Sequence, residues 1–60
     1  MTPIQAKLII EAIECLCEQE ETLNTEADRL SNINHHKEAE SLFKVAEYIH
    51  NAIYKIEALF

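Results

Sequence analysis

Glycine and tryptophan are absent from this sequence, and proline occurs once, at position 3. Tight turns between β-strands need residues at positive φ, which glycine supplies most readily. A fold of short strands is therefore disfavoured. Because residues 4–60 contain neither glycine nor proline, no strong helix breaker interrupts them. These absences favour an all-α chain.

Long apolar runs are also missing. The longest uninterrupted run is three residues, as in Leu8–Ile10, whereas a membrane-spanning helix needs about 20. No basic segment followed by an apolar core marks a signal peptide. We therefore expect a cytoplasmic protein without membrane contact.

Cysteine and histidine are too few and too poorly spaced to provide a disulfide or a metal site. On a helix, Cys15 and Cys17 point about 200° apart and cannot bond to each other. We expect both thiols to be reduced and at least half-buried. The histidines, at positions 35, 36 and 50, lack the spacing of a zinc motif. We predict no metal and no cofactor, and expect so short a chain to gain stability by oligomerising.

Basic residues are scarce, with five Lys and Arg against 11 Asp and Glu, for a formal charge of −6. Nucleic acids and anionic membranes bind clustered basic side chains, and those of this chain are scattered along the sequence. The charge therefore disfavours both as partners and favours a basic protein surface.

A first helix is predicted over about residues 3–31. Thr2 is a candidate N-cap, Pro3 suits the first helical position, and Gln5 completes a capping box. Residues at alternating spacings of three and four form an apolar face along this helix, interrupted only by Glu20. This face comprises Ala6, Ile9, Ile13, Leu16, Glu20, Leu23, Ala27 and Leu30.

A turn is predicted at about residues 32–34, and a second helix over about 35–59. Asn34 is the candidate N-cap of the second helix, and Asn32 or Asn34 is expected to adopt a left-handed conformation. The apolar face of the second helix comprises Ala39, Leu42, Ala46, Ile49, Ile53, Ile56 and Phe60. Val45, Ala52 and Leu59 widen this face on one side, and Phe43 widens it further.

A second partition of the chain is also compatible with the sequence. Thr25 and Asp28 match a further capping pattern, and Glu20 interrupts the apolar face just before it, so the first helix could end near residues 22–25. That would give three shorter helices. A continuous helix is favoured because this stretch contains no breaker.

The predicted fold is an antiparallel two-helix hairpin in a single domain, residues 1–60. Each helix covers only one stripe of its neighbour, so apolar side chains stay exposed, above all at the end away from the turn. We predict that two hairpins associate as a homodimeric four-helix bundle. The residues predicted to carry association are Ile10, Cys17, Ile56, Leu59 and Phe60.

Glutamates at spacings of three, four and three line one face of the first helix. This acidic stripe comprises Glu11, Glu14, Glu18 and Glu21. A solvated outer face is one interpretation, and a docking strip for a basic partner is the other. Two helices offer no concave pocket for a nucleophile and its base, so we predict no enzymatic activity. We predict a small acidic protein–protein interaction module: an adaptor, an inhibitor or a co-chaperone.

In length and hairpin plan, the chain resembles the small plasmid RNA-binding hairpin dimers. Those proteins use a basic face on their first helix, whereas the first helix of this chain carries the acidic stripe. The resemblance implies an alternative function, that of a nucleic-acid-binding regulatory hairpin dimer.

Overall fold

In the computed structural model, which describes residues 1–60, the chain forms two α-helices and no strand. Helix α1 spans Pro3–Asn32 and helix α2 spans His36–Glu57. The all-α hairpin is therefore confirmed, with helix ends within two residues of the predicted ones. Because α1 is continuous through residues 22–25, the three-helix alternative is wrong. Neither helix is both long enough and apolar enough to cross a membrane.

The start of α1 has the predicted capping box. The backbone N–H of Gln5 donates to the Thr2 hydroxyl at 3.2 Å, and the backbone N–H of Thr2 donates to the Gln5 side-chain oxygen at 3.0 Å. Pro3 occupies the first helical position, where its missing N–H removes no helical hydrogen bond. An N-cap of this kind stabilises a helix by about 0.5–2 kcal/mol.

The connection between the helices is a Schellman turn built around Asn34, whose φ is 67°. The His35 N–H donates to the Leu30 carbonyl at 2.8 Å, and the Asn34 N–H donates to the Ser31 carbonyl at 3.1 Å. The predicted left-handed asparagine is thus confirmed. The predicted role of Asn34 as N-cap of α2 is wrong, because the residue already terminates α1. His35 occupies the N-cap position of α2 and makes no side-chain capping bond.

The two predicted apolar faces form the contact between the helices. Every residue of the α1 face from Ala6 to Leu30 is at least half-buried, and so is every residue of the α2 face from Ala39 to Ile56. Phe60 is the exception: it lies beyond the end of α2 and is 63% exposed. We call these contacting residues, without Phe60, the seam.

The seam is thin. Its buried residues are Ala27, Ala39, Ala46 and Ile53, and no large side chain is completely enclosed. The hairpin measures 48 × 15 × 10 Å, and its radius of gyration is 14.3 Å, against about 10 Å for a compact chain of this length. The accessible surface is 4751 Å², whereas a compact monomer of this mass exposes about 4,000 Å². The hairpin therefore leaves about 750 Å² uncovered that a globular chain would hide.

Candidate protein-interaction surfaces

The heptad register divides the exposed surface into two broad sides. With Ala6 and Ala39 at position a, the seam consists of positions a and d, flanked by e on one side and g on the other. Antiparallel helices are related by a two-fold axis perpendicular to the plane of the hairpin. Equivalent positions of α1 and α2 therefore lie on the same broad side. Positions e and b make up one side, and positions g and c make up the other.

The side formed by positions g and c carries a continuous set of apolar residues, and we call it the apolar side. Its apolar members are Leu8, Ala12, Cys15, Val45, Tyr48, Ala52 and Leu59. Ala52 is half-buried and the others are exposed. The charged residues of this side are Glu26, Arg29, Glu38 and Lys55. Two acidic and two basic residues give this side no net charge.

The side formed by positions e and b is strongly acidic, and we call it the acidic side. Its carboxylates belong to Glu14, Glu21, Asp28, Glu40, Glu47 and Glu57. Lys7 is its only Lys or Arg, so with histidine neutral its formal net charge is −5 of the −6 carried by the whole chain. Four apolar side chains, those of Ile10, Cys17, Phe43 and Tyr54, are exposed among these carboxylates.

The acidic stripe lies along the outside of α1, on its back and on the acidic side. All four of its residues are exposed. None of them takes part in an ion pair; the ion pairs of the structure join other residues. The stripe therefore presents four unpaired carboxylates, clear of the apolar side.

A cross-helix bond joins Glu20 and His50. The Glu20 Oε1 atom and the His50 Nδ1 atom are 3.0 Å apart. Glu20 is the only charged residue of the seam, and its side chain is 23% exposed, against 67% for His50. Sequence reasoning missed this partner of His50. The heptad register could have identified it, because position e of α2 lies next to position a of α1 on the same side.

The residues predicted to carry association do not form one surface. Ile10 and Cys17 occupy position e, on the acidic side, whereas Leu59 lies in the turn after α2, at the spacing that continues position g of the apolar side. Ile56 is half-buried in the seam and contributes to the hairpin itself. Phe60 is exposed beyond the end of α2. Adding the antiparallel register to the helical period is what separates these residues.

Both cysteines are free and exposed, so the expectation that they are at least half-buried is wrong. Cys15 and Cys17 occupy positions c and e, outside the seam, where the neighbouring helix does not reach them. No three His, Cys, Asp or Glu side chains converge closely enough to hold a metal ion.

Two ion pairs on the outer surfaces join helical neighbours. Arg29 forms a two-pronged pair with Glu26, its Nε atom lying 3.1 and 3.0 Å from the two carboxylate oxygens. Hydrogen bonding from Arg29, aided by its charge, lowers the pKa of Glu26, and the same contact raises the pKa of Arg29. On α2, Lys44 lies 3.4 Å from Glu40.

One surface depression is present, on α1 near the loop end. Its volume is about 380 Å³, and its walls are Glu21, Thr22, Thr25 and Glu26, with no apolar side chain. All four come from a single helix, so the depression lies on a convex surface rather than between elements.

No known family matches this chain, and no curated protein or solved structure shows significant similarity to it.

Proposed function

We propose that this chain is a small acidic protein–protein interaction module, an adaptor, inhibitor or co-chaperone, that self-associates and presents its acidic stripe to a basic partner. The observation that carries the proposal is the segregation of the surface. One broad side carries exposed apolar side chains and no net charge, whereas the other carries almost all of the net charge and has fewer exposed apolar side chains.

Self-association as a homodimeric four-helix bundle is supported by the uncovered area. A typical stable interface buries about 800 Å² on each partner. The hairpin exposes about 750 Å² more than a compact monomer of its mass does. A second copy of the hairpin can cover a surface of this length, because its own broad sides have the same dimensions.

Docking of a basic partner is supported by the stripe Glu11, Glu14, Glu18 and Glu21. Carboxylates that are exposed and have no partner within the chain remain available for Lys and Arg side chains of another protein. Their charge also attracts a basic protein over a distance of about 8–10 Å at physiological salt. The stripe would therefore increase the rate and the selectivity of association.

A non-catalytic role is supported by the shape of the surface. General acids and bases acquire a suitable pKa through burial and close charged neighbours. The depression beside Glu21 and Glu26 is lined by one helix and contains no hydrophobic residue. The stripe carboxylates are exposed, as expected for groups that bind rather than catalyse.

Replacing the stripe glutamates by glutamine tests the docking role. Proteins retained by the immobilised chain from an extract of its own cell are identified, and binding of the purified partner is then measured by calorimetry at two salt concentrations. Exposed ion pairs contribute about 0.2–1 kcal/mol each. We expect the Gln variant to bind the partner roughly tenfold more weakly at low salt.

The matched control removes the same charge from α2 and the loop end of α1. It replaces Asp28 by Asn and Glu40, Glu47 and Glu57 by Gln, and it should retain most of the affinity. Equal binding by the wild-type chain and the stripe variant would contradict the docking role. Retention of nucleic acid rather than a basic protein, lost as salt is added, would support the alternative function instead.

A further inference from the structure

We infer that the apolar side is the surface on which a second copy of this chain docks, so that the acidic side stays outside the assembly. This inference rests on the proposed self-association and adds which surface carries it. Two copies could meet through either broad side. The charge and the apolar pattern distinguish the two.

Charge opposes association through the acidic side. Two copies meeting there would bring a net charge of −5 against −5. Like charges in a contact from which water is excluded repel far more strongly than in solution. The apolar side has no net charge, and Glu26 on it is already paired with Arg29. Only the apolar side can therefore be covered by an identical surface without strong repulsion.

The apolar pattern of α2 matches that of a bundle helix. Val45 and Ala52 repeat at heptad spacing beside the seam, so three of every seven positions on this part of α2 are apolar, and Leu59 follows at the same spacing in the turn after the helix. A helix that packs against two neighbours has this width, whereas a two-helix seam needs only two of seven. The row continues across the hairpin to Leu8 and Ala12 of α1.

The row on α2 is also symmetric about its smallest member. Val45 and Leu59 each lie seven residues from Ala52. A two-fold axis through Ala52 would set Val45 of one copy against Leu59 of the other, so that apolar groups meet along the whole row. This isologous arrangement closes the assembly at two chains.

The two cysteines test the docking surface almost without altering it. Cys15 and Cys17 are both exposed in the hairpin and lie two residues apart, on the apolar and the acidic side respectively. The rate at which a maleimide alkylates Cys15 is measured in the Cys17→Ala variant, and the rate for Cys17 is measured in the Cys15→Ala variant. Both rates are measured over a range of protein concentrations. We expect Cys15 to react at least tenfold more slowly where the mass is that of two chains. Cys17 should react at a nearly constant rate.

The two tyrosines of α2 supply a matched pair of substitutions. Tyr48 on the apolar side is 72% exposed, and Tyr54 on the acidic side is 73% exposed. We expect Tyr48→Glu to weaken association at least tenfold and Tyr54→Glu to leave the mass at two chains, as measured by sedimentation equilibrium. Circular dichroism of both variants at low concentration establishes that each retains the helical hairpin.

Two results would overturn the inference in distinguishable ways. Protection of Cys17 with dissociation by Tyr54→Glu would show that the copies meet through the acidic side, and self-association itself would stand. A single-chain mass at every concentration, with both thiols equally reactive, would reject self-association. Binding of a basic partner to the stripe is measured separately and depends on neither result.

Discussion

The Glu20 carboxylate and the His50 imidazole, 30 positions apart in the sequence, are joined across the hairpin by a contact of 3.0 Å. It is the only side-chain hydrogen bond between α1 and α2; the other side-chain bonds lie within one helix or at its cap. The bond fixes one point of the register between the helices. It also places a carboxylate in a seam whose other residues are all Ala, Ile or Leu.

Replacing Glu20 by Leu should stabilise the hairpin. The change removes a hydrogen bond whose net contribution is about 0.5–1.5 kcal/mol, and it buries an apolar side chain that contributes about 1.5–3 kcal/mol when fully covered. His50 remains hydrated because it is largely exposed. We expect a gain of about 1 kcal/mol in the free energy of unfolding, measured by urea denaturation at fixed protein concentration.

Two further variants isolate the cause of that gain. Glu18→Leu, on the exposed back of α1, should leave stability nearly unchanged, because the new side chain gains no cover. His50→Ala should lower stability in the wild-type chain and have little effect in the Glu20→Leu background. Loss of stability in Glu20→Leu would show that the bond outweighs the apolar gain.

Asn34 should tolerate glycine and reject a β-branched residue. Its φ of 67° is in the left-handed region, which costs a residue with a Cβ about 1–2 kcal/mol. We expect Asn34→Gly to be neutral or slightly stabilising and Asn34→Val to cost about 2 kcal/mol, measured by thermal unfolding. Asn32→Val is the control, because Asn32 is the last residue of α1. Equal losses in the two valine variants would be inconsistent with a left-handed turn.

The Glu26–Arg29 pair should make a small, acid-sensitive contribution to stability. The pKa of Glu26 is lowered in the folded chain, chiefly by hydrogen bonding from Arg29. A lowered folded-state pKa means that the contribution is present at neutral pH and is lost as the pH falls through that pKa. In a carboxyl NMR titration, the midpoint of Glu26 should lie below the usual range for a glutamate, and Arg29→Gln should raise it into that range. A midpoint unaffected by Arg29→Gln would exclude the pair as the cause.

Enlarging Ala46 should force the helices apart. Ala46 is 2% exposed and lies in the seam between two closely packed helices. Overpacking of a site with no free volume costs about 1–3 kcal/mol. We expect Ala46→Leu to lower the free energy of unfolding by that amount. Ala58→Leu, at an exposed position after α2, should change it little. A neutral Ala46→Leu would mean that the seam is looser than described.

Local signals were sufficient to predict the elements and the contact between them. The heptad spacing identified the seam residues from Ala6 to Leu30 and from Ala39 to Ile56, because helical period and apolar character are both written in the sequence. The capping box of Thr2 and Gln5 depends on four consecutive residues and was predictable for the same reason.

Features that depend on the relation between the helices were missed or misread. The role of Asn34 was misassigned because an asparagine at this position can either terminate α1 in a left-handed conformation or cap the start of α2. In the structure it terminates α1. The Glu20–His50 bond needs the antiparallel register as well as the period. The prediction grouped Ile10 with Leu59 because both lie at the open end of the hairpin, and it did not consider on which side of the seam each residue lies.

The repeating apolar seam has a consequence for how the two helices are aligned. Ile and Leu side chains recur along both helices at heptad spacing, so sliding α2 along α1 by one heptad would exchange one set of apolar contacts for another of the same kind. Correct alignment must then come from elsewhere. The three residues between Asn32 and His36 are too few to allow such a slide, and the slide would also break the bond between His50 and Glu20. The three-residue turn and the Glu20–His50 bond therefore fix the register between the two helices.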